Sequence, residues 1–267
     1  MITLENDRAA RHTLSQPWWG ATAFSVALIG LAVLWAGTDT RMVDAAKVWE
    51  KPLKFAVSFV VLFATMALVE PYFSAPWRNG RLFRGIAAMM TAAMLTEMIY
   101  MIFQAAQGQA SHFNTATPFH AAMYAAMGVG AVTLVLGVAL MGWAALRDQD
   151  ATFGSGLRLG VGLGFIGSFV LTMITAGTMS SMAGHFIGTP APGAAVIPLM
   201  GWSATVGDLR PAHFVALHAM QVLPLLGLWI DRRGFETRVI WLMAAVYALI
   251  TLALFAQALL GIPVIRL

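Results

Sequence analysis

The chain has 267 residues, 59% hydrophobic and 10% charged, with a net charge of +4, a mean hydropathy of +0.76 and no cysteine. A soluble domain carries about 25% charged residues, so a soluble globular domain is excluded; so are disulfides, thiolate metal sites and thiol catalysis. The basic excess lies in short loops with no basic run interleaved with aromatics, which reads as membrane topology and excludes a nucleic-acid partner.

A helix crosses the hydrocarbon layer with about 20 apolar residues. Seven segments qualify: 18–37, 52–70, 85–106, 118–145, 157–183, 210–230 and 238–262. The fold class expected is therefore all-α, a single polytopic helical bundle covering residues 1–267, because lipid leaves backbone groups no other open-ended way to pair. The first apolar run, after Trp18, is long enough to span and be retained rather than cleaved as a signal peptide.

The second span opens at Lys51-Pro52-Leu53-Lys54. Snorkelling to the headgroups is the default for both lysines; Lys54 turned inward toward Glu97 is the alternative that makes it a binding candidate. Glu97, in the third span, is the deepest acid. Tyr100, Met101 and Gln104 follow it at spacings of three, four and seven, which places them on one helix face. An ionisable group inside a span is a functional candidate by default. Glu97 reads either as a ligand or proton-carrying group, or as a protonated acid bonded to a neighbouring helix.

His112 precedes the fourth span, and His120 shares a face of it with Tyr124 and Met127. The fifth span begins in a glycine run with Gly156, Gly160 and Gly164 at intervals of four. That repeat lets a neighbouring helix approach closely; no strand precedes it and no GK[ST] follows, which removes a nucleotide loop. Thr175, Thr178 and Met182 form a stripe ending at His185. Asp208 precedes the sixth span and reads as its N-cap, with Pro211 in the first turn; Arg210 either pairs with Asp208 or holds an anion such as a propionate or phosphate. His218 lies about 12 Å into that helix, with Gln221 one turn on and Pro224 beyond it. His213 and His218 are five residues apart, about 140° around the helix, so they do not chelate one ion together. The methionines lining these faces read as core filling or as soft copper ligands.

The nine tryptophans all fall at span ends or in loops, as an aromatic belt requires. One side of the bundle gathers ten basic residues, Arg8, Arg11 and eight later arginines, against six on the other. The positive-inside rule then puts the N-terminus inside and the C-terminus outside. His12 falls on the inner side and the other five histidines on the outer.

The segments Trp49-Glu50-Lys51-Pro52-Leu53-Lys54-Phe55, Ser111-His112-Phe113-Asn114 and Gly207-Asp208-Leu209-Arg210, with His213, His218 and Gln221, resemble an uncharacterised group of bacterial seven-helix membrane proteins. The resemblance implies a multi-pass protein of the bacterial inner membrane and transfers no activity. The last span lacks the lysine of retinal proteins, and the HxxxH pair of membrane zinc hydrolases is missing.

Three functions compete. The first is a cofactor site in the outer half of the bundle. There His218, His120, His213 and His185 would bind haem b or a transition metal (copper, zinc or iron) for redox or electron-transfer work. Glu97 would serve as catalytic acid or further ligand, and Arg210, Lys54, Gln221, Tyr100, Gln104 and His112 would complete the pocket. The second is a small-solute or proton transporter using Glu97 and His218. The third is a non-catalytic subunit of a membrane complex or a homo-oligomer. In each case the immediate partner is the lipid bilayer, and whether the protein is an enzyme stays open.

Overall fold

A computed structural model of the chain describes residues 16–43 and 46–266; Arg8, Arg11 and His12 lie outside them. Seven long helices dominate: α1 (Gln16–Ala36), α2 (Glu50–Val69), α3 (Arg81–Ala106), α4 (Pro118–Arg147), α5 (Ser155–Ser181), α6 (Arg210–Arg233) and α7 (Val239–Leu259). All seven are long and apolar enough to cross a membrane, and their ends fall within four residues of the expected spans.

The helix limits follow from local chemistry. Pro17, Pro52, Pro118 and Pro211 sit in first turns, where a missing N–H leaves no bond unmade. Gly234 ends α6 in the left-handed region with φ of 67°, a conformation that favours glycine. Three two-stranded antiparallel ribbons, which the apolar pattern does not announce, fold the loops. β1 (Met42–Val43) pairs with β2 (Ala46–Lys47). β3 (Phe186–Ile187) pairs with β6 (Gly207–Asp208), and β4 (Val196–Ile197) with β5 (Trp202–Ser203).

The helices form two compact units, divided within α4 after Gly137. The first contains α1 to α3, the start of α4 and residues 148–152. Phe63, Met66, Ile86, Met90, Met94 and Met98 are fully buried there. Trp18 does not join the headgroup belt expected of it: it is 1% exposed and packs on Phe63 at 6.1 Å between ring centres. Glycines let α4 lie close on α3, since a Cβ at Gly137 would meet Ile86 at 3.2 Å. Asp148 accepts a hydrogen bond from the Ser74 N–H at 2.7 Å, tying residues 148–152 to the turn after α2.

The second unit holds the end of α4 with α5 to α7. Here the glycine repeat of α5 does what its spacing implies. A Cβ at Gly156 would come within 2.6 Å of the Gly227 carbonyl oxygen, and one at Gly164 within 2.6 Å of that of Ala219. The backbones of α5 and α6 are therefore in direct contact. Ser168 donates to the Leu217 carbonyl at 3.0 Å, and Asp231 of α6 accepts from the N–H groups of Gly156 and Leu157, each at 2.8 Å. These two N–H groups have no partner inside their own helix. Tyr247 of α7 donates to the Val215 carbonyl at 2.6 Å.

Candidate functional site

In the first unit, the third-span stripe is buried as one face of α3: Glu97 is 3% exposed, Tyr100 5%, and Met101 and Gln104 1% each. Gln104 is anchored, donating to the Ala110 carbonyl at 3.3 Å. Tyr100 and Met101 pack with Met127 of α4, and Phe55 and Met123 close over them. Glu97 lies beneath Gly130 of α4, where a Cβ would fall 2.9 Å from its Oε1. The glycine thus makes room for the carboxyl. Neither Glu97 Oε1 nor the Tyr100 hydroxyl has a hydrogen-bond partner. An unsatisfied buried polar atom costs about 1–3 kcal/mol, so one helical turn holds an idle acceptor and an idle donor. An open cleft of about 310 Å³ reaches this turn, lined by Thr96, Ile99, Tyr100, Phe103 and Met123.

The rim of this unit carries the other predicted groups. His112 stacks on Phe55 at 5.4 Å, and its Nδ1 meets the Ser111 hydroxyl at 3.1 Å. Burial, with the Lys51 charge adding to it, pushes the His112 imidazole down from the usual 6.5 to about 3. The folded state therefore holds it neutral while the unfolded chain takes up a proton below about 6.5. Stability should be full above that value and fall between about pH 6.5 and 3, by up to about 1.4 kcal/mol per pH unit. Thermal unfolding between pH 7.5 and 5 should show this slope in the parent and a flatter one in His112→Gln.

His120 belongs to the helix start. Thr117 accepts its backbone N–H at 3.2 Å and meets its Nδ1 at 2.9 Å, an N-cap arrangement. Lys54 is 47% exposed and pairs with Glu50 at 3.7 Å, an outward placement rather than one toward Glu97. Across the same rim, Asp39 accepts from the Trp35 indole at 2.9 Å and from Arg41, whose guanidinium also reaches the Ala106 carbonyl at 3.1 Å. The Arg41 guanidinium and the Trp35 indole hold the Asp39 carboxyl far below the usual carboxylate range.

In the second unit, His213 Nδ1 lies 3.2 Å from Thr175 Oγ1. The Thr175 hydroxyl also reaches the Leu171 carbonyl at 3.0 Å, and donation by Nδ1 to Thr175 is the arrangement that satisfies both contacts. His218 Nδ1 donates to Gln221 Oε1 at 3.1 Å on the same helix, and its ring stacks on Phe214. In both rings it is thus Nδ1 that meets an oxygen partner.

Asp208 and Arg210 form a loop clamp. The Asp208 side chain is fully buried and accepts from the Ser203 N–H at 2.8 Å, the Arg210 N–H at 3.0 Å and the Arg210 guanidinium at 2.6 Å. The residue at the helix cap is Leu209, so the expected Asp208 N-cap is realised as a turn onto Arg210. Arg210 also donates to the Gly201 carbonyl at 2.7 Å and lies over Phe186 at 5.2 Å, which ties it to the loop. His185 stacks on Phe186 at 4.1 Å, and its carbonyl accepts from Leu209.

The predicted residues thus divide. Lys54, Glu97, Tyr100, Gln104, His112 and His120 belong to the first unit, and His185, Arg210, His213, His218 and Gln221 to the second. Glu97, Tyr100 and Gln104 share one stripe, from which Lys54 stands apart. Among the described residues, no three His, Asp or Glu side chains gather as an ion site. Sequence reasoning passed over Glu70 and Arg78, which line a second cavity; Glu70 read only as a span end.

Taken together, the seven spans define a multi-pass helical membrane protein. The chain matches no protein-family model, no curated protein and no solved structure.

Proposed function

We propose that the chain is a carrier of protons or of a small hydrogen-bonding solute, with Glu97 and Tyr100 as its binding pair. The observation behind this is the buried turn of α3 on which Glu97 Oε1 and the Tyr100 hydroxyl both lack partners. A solute offering one donor and one acceptor would satisfy both atoms at once, and Gln104 stiffens the same face. The ten-to-six division of basic residues favours an N-terminus inside and a C-terminus outside, and the resemblance carried by the Trp49–Phe55 and Gly207–Arg210 segments favours a bacterial inner membrane.

In liposomes carrying a pH-sensitive dye, the parent should move protons or a proton-linked solute. Glu97→Gln should lower the flux at least tenfold, and Tyr100→Phe should weaken binding. Equal flux from Glu97→Gln and the parent would end the proposal.

A second reading is favoured by the histidines of α6. A metal-bound imidazole usually holds its other nitrogen on an oxygen partner, and the Nδ1 atoms of His213 and His218 each lie on such a partner. This fits either one as a ligand to haem or to copper, zinc or iron. A purified protein with a Soret band or stoichiometric metal would support it, and one with neither would remove it.

A further inference from the structure

A second cavity, of about 350 Å³, opens in the first unit where α2 ends and α3 begins. This is within the range of about 300–1,000 Å³ typical of small-molecule pockets. Its polar lining comes from Glu70, Arg78, Asn79 and Arg84, and its aromatic walls from Trp18 and Phe83. Glu70 is 3% exposed. The Trp18 indole is hydrogen-bonded to the Glu70 carboxyl, and the Arg78 charge acts on the same group. Yet Glu70 Oε2 and Arg78 Nε both lack a hydrogen-bond partner. A buried acceptor and a buried cationic donor therefore wait in one cavity at the ends of two spans, the depth of lipid headgroups.

The charges select the occupant. A simple anion would meet Arg78 and Arg84 but face the Glu70 carboxyl. A simple cation would meet Glu70 but face two guanidiniums. A molecule carrying both signs answers each in turn. Glu70 Oε2 needs a hydrogen-bond donor; a primary ammonium supplies one together with positive charge, and a trimethylammonium has the charge without the donor. Guanidinium groups match phosphate oxygens. We propose that this cavity binds a primary-amine phosphodiester, the chemistry of an aminophospholipid headgroup, with its ammonium on Glu70 and its phosphate on Arg78 and Arg84.

The test is native mass spectrometry of the full-length protein in detergent with equal amounts of phosphatidylethanolamine, phosphatidylcholine and phosphatidylglycerol. Phosphatidylethanolamine should be retained at least tenfold over either of the others, and Glu70→Gln should remove that preference. Should Glu70→Gln not fold, Arg84→Gln, at an exposed position, should still lower retention several-fold. Soluble glycerophosphoethanolamine separates the two sources of this chemistry: displacement of the lipid assigns the site to the headgroup alone, and no displacement assigns it to the intact lipid. Equal retention of the three lipids, a preference for phosphatidylglycerol, or unchanged retention in both variants would overturn the assignment.

Discussion

Gly160→Ala should destabilise the protein by about 1–3 kcal/mol, although helix propensity alone argues the reverse. Alanine is favoured over glycine inside a helix by about 1 kcal/mol. At Gly160, however, the new Cβ would lie 3.0 Å from the Leu223 carbonyl carbon and 3.1 Å from the Pro224 Cα. Both are backbone atoms, so no rotamer change relieves the contact and α5 must move away from α6. That movement also stretches the Ser168 and Asp231 bonds across the same seam. Gly167, on the same helix, is the internal control, because nothing lies within 4 Å of its would-be Cβ. Gly167→Ala should be neutral or mildly stabilising. Thermal unfolding of both variants in detergent decides the matter. Equal effects at the two positions would mean that the α5–α6 seam does not depend on backbone contact.

Asp208→Ala is expected to cost about 3 kcal/mol, the low end for breaking a buried ion pair, because Arg210 remains 30% exposed and is partly rescued by water. The carboxylate is the common acceptor for Ser203, Arg210 N–H and the guanidinium, so its removal frees β5, β6 and the entry to α6 together. Protease cleavage between residues 186 and 207 should rise with the loss of stability. Arg210→Lys alone should also fall short of the parent, since an ammonium cannot reach Asp208 and the Gly201 carbonyl as a planar fork does. A double-mutant cycle on Asp208 and Arg210 should give a coupling well above zero, and strict additivity would show that the two do not act as a pair.

Much of the fold was legible because lipid imposes blunt rules. The length and continuity of the apolar runs placed all seven helices closely, with Trp at most of their ends in agreement. The Glu97–Tyr100–Gln104 stripe was legible because three, four and seven are the helix's own spacings. The glycine repeat was legible for the same reason, though its partner on α6 was not. What stayed hidden depends on tertiary partners. Thr175, which meets His213 Nδ1, lies on a different helix. Two-residue strands such as β3 and β6 are too short to show alternation. Trp18 looked like a belt residue because position along the chain does not reveal the Phe63 ring beside it. The Glu70 cavity needed three elements brought together before any residue in it looked unusual.

Among the described spans, α6 has the lowest mean hydropathy, 1.5, and α7 the highest, 2.4. With His213, His218 and Pro224 along its length, α6 pays heavily to partition from the translocation channel into lipid as a lone segment. His213 is met by Thr175 of α5, and the Leu217 and Val215 carbonyls accept from Ser168 of α5 and Tyr247 of α7, whereas His218 is met within α6 by Gln221. Biogenesis should therefore hold α6 at the channel until α7 has been synthesised, and release the last three helices as one cohort. The very hydrophobic α7 then supplies the drive that its predecessor lacks.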